Sequence, residues 1–218
     1  MEIDDPKIVA LREHVTAAQQ EFDMAVAFHE VWKPATYDMD LHNRLGTSYA
    51  TQAFLVTRAA LRREMLLALT RLWDTNTQSI RMRCVWARLR DKELLDALAF
   101  DRAKRGGWLE VLDEMRNDLR KKAAEAVLLL NKYMEGGTHC AVLAKLTALR
   151  NERLAHRQVA TATATGANAT DEEIEEFYQD NSKLIEILLS VVNAMAYDPQ
   201  DTANVYGFYA SHFWKRVT

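Results

Sequence analysis

Residues 5–32 read DPKIVALREHVTAAQQEFDMAVAFHEVW. Ile8, Leu11, Val15, Ala18, Phe22, Ala25 and Phe28 return at every third or fourth place, the step that keeps side chains on one face of an α-helix, whereas a strand would alternate. The spacing predicts one long amphipathic helix. Pro34 is expected to close it, because proline has no backbone N–H and its ring crowds the turn before it. The same period continues along the chain. A second helix is expected from about Asp40 to Trp73, carried by Leu45, Tyr49, Phe54, Leu55, Leu61, Met65, Leu69 and Leu72, and ending at Thr75-Asn76-Thr77. Shorter helices over 79–89 and 92–104 follow. Gly106-Gly107 stops the latter, since the residue beyond a helix C-terminus takes a left-handed conformation that glycine tolerates. Gly136-Gly137 repeats that signal after a helix from Trp108 to Met134, and another helix begins near Thr138.

The stretch VATATATGANAT, 159–170, is poor in bulky apolar groups and is expected to form a mobile surface loop. Thr170 with Glu173 three places on has capping-box spacing. It opens a helix whose apolar face carries Ile174, Phe177, Leu184, Leu188, Val191 and Met195, and Pro199 and Asp201 separate this from a last helix ending near Trp214. Only 7 Gly and 3 Pro in 218 residues leave too little turn chemistry for a sheet-rich fold. The expectation is a single all-α domain over 1–218, an antiparallel bundle of about six to eight helices.

Composition narrows function. Lysine and arginine number 28 against 31 acidic residues, a formal net charge of −3, which argues against a nucleic-acid coat protein and leaves a local basic cleft open. Cys84 and Cys140 have no CxxC spacing and read as small buried hydrophobes. The acidic start MEIDDPKIV and the lack of any run of about 18 apolar residues predict a soluble cytoplasmic protein with no membrane partner. No Gly-rich phosphate loop, G-x-S-x-G or HExxH occurs, so no cofactor and no metal is expected. Trp32, Trp73, Trp86, Trp108 and Trp214 fall on or near apolar faces and read as core; His14, His29, His42, His139 and His212 read as structural.

The chemistry concentrates at LRNERLAHRQ, 149–158. Val142, Leu146 and Leu149 face the core of the helix that leads into it, while Arg150, Arg153 and His156 follow at steps of three and form a curved polar ridge. Residues 145–157 hold four cations, Lys145, Arg150, Arg153 and Arg157, against Glu152 alone, and His156 adds charge near neutral pH. Such a ridge attracts phosphate. Histidine moves a proton at neutral pH, and arginine stabilises charge building on phosphoryl oxygens. The same residues also fit a solvated helix end, with Arg150, Arg153 and His156 interacting with its dipole.

Arg150-Asn151 and then His156 resembles the Arg-(four to six residues)-His signature of the HEPN superfamily. RNERLAH looks most like its abortive-infection AbiU-type branch, and LALTRLWD at 67–74 is similar to the Arg-aromatic-Asp ending of that branch's second long helix. The resemblance implies a helical bundle that dimerises through the motif helices, so that two Arg-His pairs meet in one cleft. It implies a metal-independent endoribonuclease, a toxin or phage-defence effector giving 2′,3′-cyclic phosphate ends. His156 would be general base or acid, Arg150 would stabilise the transition state, Asn151 would orient the histidine or bind phosphate, and Arg153 and Arg157 would contact RNA. A homodimer, RNA and a cognate antitoxin are the partners it suggests. One departure weakens control by nucleotidylation: Gln158 stands two places after the histidine, where HEPN toxins paired with a nucleotidyltransferase often carry Tyr. Arg71 and Asp74 either line the cleft or form a helix-end pair, and they stay outside the predicted site. The competing class is a non-catalytic bundle that binds RNA or a protein partner.

Overall fold

The computed structural model describes residues 5–76, 81–150 and 169–217. Among them the chain forms nine α-helices: α1 Pro6–Tyr37, α2 Met39–Leu45, α3 Ala50–Arg71, α4 Met82–Leu89, α5 Lys92–Gly106, α6 Leu112–Tyr133, α7 Cys140–Leu149, α8 Asp171–Leu188 and α9 Pro199–Lys215. A 3-10 turn, Leu109–Val111, precedes α6, and a π-helical turn, Leu189–Asn193, continues α8. No strand occurs among the described residues, and none of their helices is long and apolar enough to cross a membrane.

The opening stretch forms α1, and its predicted stripe is the core: Leu11, Val15, Ala18, Phe22 and Ala25 are fully buried. Asp5 caps the helix by accepting from the Lys7 N–H at 2.8 Å, and Pro6 at the first position loses a donor that has no intrahelical partner anyway. Pro34 does not end the helix. It lies inside the last turn, and the Asp38 N–H closes that turn on the Pro34 carbonyl at 3.0 Å. Proline removes a donor but not its acceptor, so one turn continues past it.

The second predicted helix is broken. Gly46 takes φ 49°, a left-handed value costly for any residue with a Cβ, and it divides α2 from α3. The break lets Leu41, Leu45 and Phe54 close a small core with Ala35, Ala210 and Trp214. The main core joins all the other helices. α1 lies antiparallel to α3, since Arg71 reaches Glu21 while Phe54 packs near Ala35. It is also antiparallel to α8, where Tyr178 packs on Phe22 and His29 and the following turn reaches Thr16. α6 backs α5 and α8, and α7 fits between α6 and α3.

Gly107 caps α5 with φ 71°, as the glycine pair implied. The Thr170–Glu173 capping box is closed in both directions, with the Glu173 N–H donating to Thr170 Oγ1 and the Thr170 N–H to Glu173 Oε2. Asp198, not Pro199, starts the last helix: its side chain accepts from the Gln200 N–H, and Pro199 is inside the first turn. Met195 is half exposed because the left-handed Ala194, φ 56°, turns the chain away before that face can continue. Trp32, Trp73 and Trp214 are core and Trp86 is partly buried against it, but Trp108 stands 53% exposed, placed on a short turn beyond the glycines and off any apolar stripe. The predicted 159–170 loop lies outside the described residues except for Ala169, which packs on the core, and Thr170.

Phe177→Ala is expected to cost about 3–5 kcal/mol by emptying a fully enclosed ring site, and Thr170→Ala about 1 kcal/mol by losing a cap. Urea unfolding of both variants checks the order; equal costs would mean that the core is not closed around Phe177.

Candidate functional site

The end of α3 and the end of α7 meet. Leu72 and Trp73 are buried, and the indole Nε1 of Trp73 donates to Asn181 Oδ1 of α8 at 2.9 Å. Asn181 Nδ2 in turn donates to the Phe177 carbonyl at 2.7 Å. Trp73 also bridges to Arg81, and the Met82 N–H donates to the Leu72 carbonyl at 3.1 Å. A buried tryptophan whose donor is satisfied makes a rigid anchor, and Asp74 is the next residue.

The two oxygens of Asp74 have different work. Oδ1 accepts from the backbone N–H groups of Thr75 at 2.7 Å and Asn76 at 3.2 Å, while Oδ2 faces Nη1 of Arg150 at 3.3 Å. Arg150 caps α7, its N–H donating to the Leu146 and Thr147 carbonyls. Both side chains of the pair are about four-fifths buried. Burial raises the Asp74 pKa, but the N–H groups of Asn76 and Thr75 and the Arg150 guanidinium outweigh it and hold the carboxyl below its ordinary value. A carboxylate held from one side by backbone N–H groups fixes the direction from which a guanidinium approaches.

Acidic residues of α8 grip the other side of α7. Lys145 Nζ donates to Glu173 Oε1 at 2.7 Å, which with the Thr170 N–H lowers the Glu173 pKa. His139 Nε2 lies 3.2 Å from Glu176. Lys132 of α6 donates to Glu176 at 2.7 Å and to Asp180 at 2.6 Å, and the Tyr133 hydroxyl donates to Asp180 at 2.6 Å. Burial first, then that carboxylate, pushes the Tyr133 pKa upward.

Of the predicted site residues, Arg150 is therefore placed and partnered. Asn151, Arg153, His156 and Arg157 lie outside the described residues. The basic ridge is less positive than its sequence suggests, because Glu173 and Asp74, distant in the chain, reach two of its cations. Asp74 is the residue that sequence reasoning left out, although LALTRLWD carried its signal. Arg71 next to it turns the other way, to Glu21 at 2.8 Å. Cys84 and Cys140 are free and only partly buried. No group of three or more His, Cys, Asp and Glu among the described residues is arranged to hold a metal ion.

Asp74→Asn is expected to lower stability by about 1 kcal/mol at neutral pH, as for a partly buried pair. A carboxyl depressed in the folded state contributes above its unfolded pKa and loses that contribution as pH falls through its folded value. The gap between wild type and variant should thus be constant near neutrality, begin to narrow near about pH 4 and close only at more acid pH. Unfolding free energies measured across that range check it, and a gap that persists in acid would sink the assignment to this pair.

Comparison with known proteins identifies a family. The family model of AbiU2, a HEPN family, matches residues 8–213. Neither curated proteins nor solved structures yield a match.

Proposed function

This chain belongs to AbiU2, a HEPN-type abortive-infection family, and on that premise we propose that it is a metal-independent endoribonuclease acting as a toxin or phage-defence effector. The observation that carries the reading is the Asp74–Arg150 pair, which joins the two segments that resemble the family in sequence. Were Arg150 only a solvated helix end, no anchored carboxylate from another helix would be needed to aim it.

In this reading two copies of the chain bring their Arg150 and His156 into one cleft. The 2′-hydroxyl of RNA attacks the adjacent phosphorus, its proton passing to a neutral His156. The bond to the 5′-oxygen breaks, and the protonated His156 of the second copy supplies the proton that the leaving oxygen takes up. The products are a 2′,3′-cyclic phosphate and a 5′-hydroxyl. Arg150, oriented by Asp74, offers its guanidinium to the oxygens on which charge accumulates, and Asn151 orients the histidine or binds the phosphate. Arg153 and Arg157 hold the strand by its backbone, so binding weakens as salt rises.

Incubating the protein with structured total RNA in EDTA tests the reading. Wild type is expected to give 2′,3′-cyclic phosphate ends, and the Arg150→Ala/His156→Ala variant none, with unchanged helicity. A composite cleft also requires a dimer at micromolar concentration in sedimentation. A folded dimer that leaves RNA intact would instead be a module that binds RNA or a protein partner without turnover.

A further inference from the structure

The last helix packs through one side only. Ala203 joins the main core, and Ala210 and Trp214 the small one. On the outer side Val205, Tyr206, Phe208, Tyr209 and Phe213 stand 36–60% exposed. Scattered exposed rings are ordinary surface, but these are contiguous: between ring centres Phe208 lies 6.1 Å from Tyr209 and 4.2 Å from His212, and Tyr206 lies 6.2 Å from Tyr209. With about half of each ring open, they show roughly 500 Å² of apolar surface, as much as the largest patch of a typical monomer. Asn204, His212 and Arg216, also exposed, extend the face toward the roughly 800 Å² per partner that a stable association needs.

The order of residues along this face is self-complementary. Asp201, Val205, Phe208, His212 and Lys215 follow at steps of four, three, four and three, and all five are exposed. That alternation is the seam by which two helices pack side by side at a shallow angle. Phe208 is its midpoint, with Asp201 seven places before it and Lys215 seven places after, about 21 Å apart along the axis. Laid antiparallel on a second copy, Phe208 against Phe208, the seam sets Val205 opposite His212 and each Asp201 opposite a Lys215. A parallel pairing would set Asp201 against Asp201. The flanking charges have the same sense: Asp198 caps the N-terminal end, while Arg216 follows the C-terminal end and Arg44 donates to the Trp214 and Lys215 carbonyls there. Such charges suit the dipole of a lone helix as well; an open aromatic row between them does not.

We infer that α9 is a self-association surface, pairing antiparallel with α9 of a second copy about a two-fold axis at Phe208. An isologous contact of this kind closes on itself. It is separate from the proposed cleavage cleft, since α9 packs on α1 whereas α7, which leads into Arg150, packs on α3 and α6. A chain that used both contacts would assemble beyond a dimer. A nucleic-acid strand finds no basic track here, because no lysine or arginine lies between Asp201 and Lys215. A membrane-surface helix carries its cations along the polar side, whereas this face begins with two carboxylates.

Sedimentation equilibrium of the full chain at micromolar concentration tests this. Phe208→Glu should at least halve the wild-type mass, with an unchanged circular dichroism spectrum because the ring is exposed in the single chain. Asp201→Lys and Lys215→Asp each set like charges face to face twice per pair and should weaken association about tenfold at low salt. Combining the two swaps should restore the wild-type mass, and mixing the two single variants should give a mixed pair. The Arg150→Ala/His156→Ala protein should respond to Phe208→Glu as wild type does. The proposal fails if Phe208→Glu keeps the wild-type mass, as a dimer built only through the motif helices would. It fails also if the combined swap stays as weak as the single ones, or if the wild type is a monomer, whether or not it pellets with anionic phospholipid vesicles.

Discussion

The apolar stripe of α1 is longer than any single neighbour can cover, and the arrangement of the bundle follows from that constraint. Thirty-two helical residues extend roughly 48 Å, whereas α3, the longest helix lying along it, has 22 residues. The stripe is therefore covered in stages. The turn after α8, with α5 beside it, serves its N-terminal half, α3 and α8 the middle, and α2 and α9 the far end. Each stage imports side chains from a different part of the chain. The pairing at Glu21 is a place where one cover ends and another begins.

α8 is the second organising element, and it works through charge as well as packing. Its buried face holds Ile174, Phe177, Leu184 and Leu188, while four of its acidic residues reach other helices: Glu173 to Lys145, Glu176 and Asp180 to Lys132, and Glu175 to the buried His29 at 2.9 Å. Burial works against the charged imidazole, but the hydrogen bonds that its ring donates to Glu175 and Glu30 prevail and raise the His29 pKa. Glu175 is correspondingly depressed, to about 2. Ion pairs at a rim contribute modestly to stability. Their larger effect is directional, since each lysine or histidine accepts only the register in which its carboxylate is near.

Helical class and most element ends were legible because they rest on local signals. The three-to-four spacing of α1, the glycines at 106–107 and 136–137, and the Thr170–Glu173 pair all act within a few residues. The break at Gly46 was not legible, because a lone glycine inside a periodic run is usually tolerated; here a second core at Phe54 and Trp214 repays the bend. Pro34 misled for the opposite reason, as its penalty falls on one hydrogen bond and not on the turn after it. At the site, Arg150 could be read from its motif. Its partner Asp74 is 76 residues away, and no periodicity reports a contact at that distance. Trp108 looked apolar in sequence and proved open, because residue type does not tell which side chains a turn lifts off the core.

The anchoring of Trp73 by Asn181 and of Lys145 by Glu173 also sets an order in time. Domains emerge from the ribosome N-terminal end first, so the arginine that ends α7 is synthesised well before the helix that steadies both it and its carboxylate partner. A growing chain that has reached the 150s carries the basic ridge without its scaffold. The geometry that aims Arg150 comes into being only after α8 has been made and has docked.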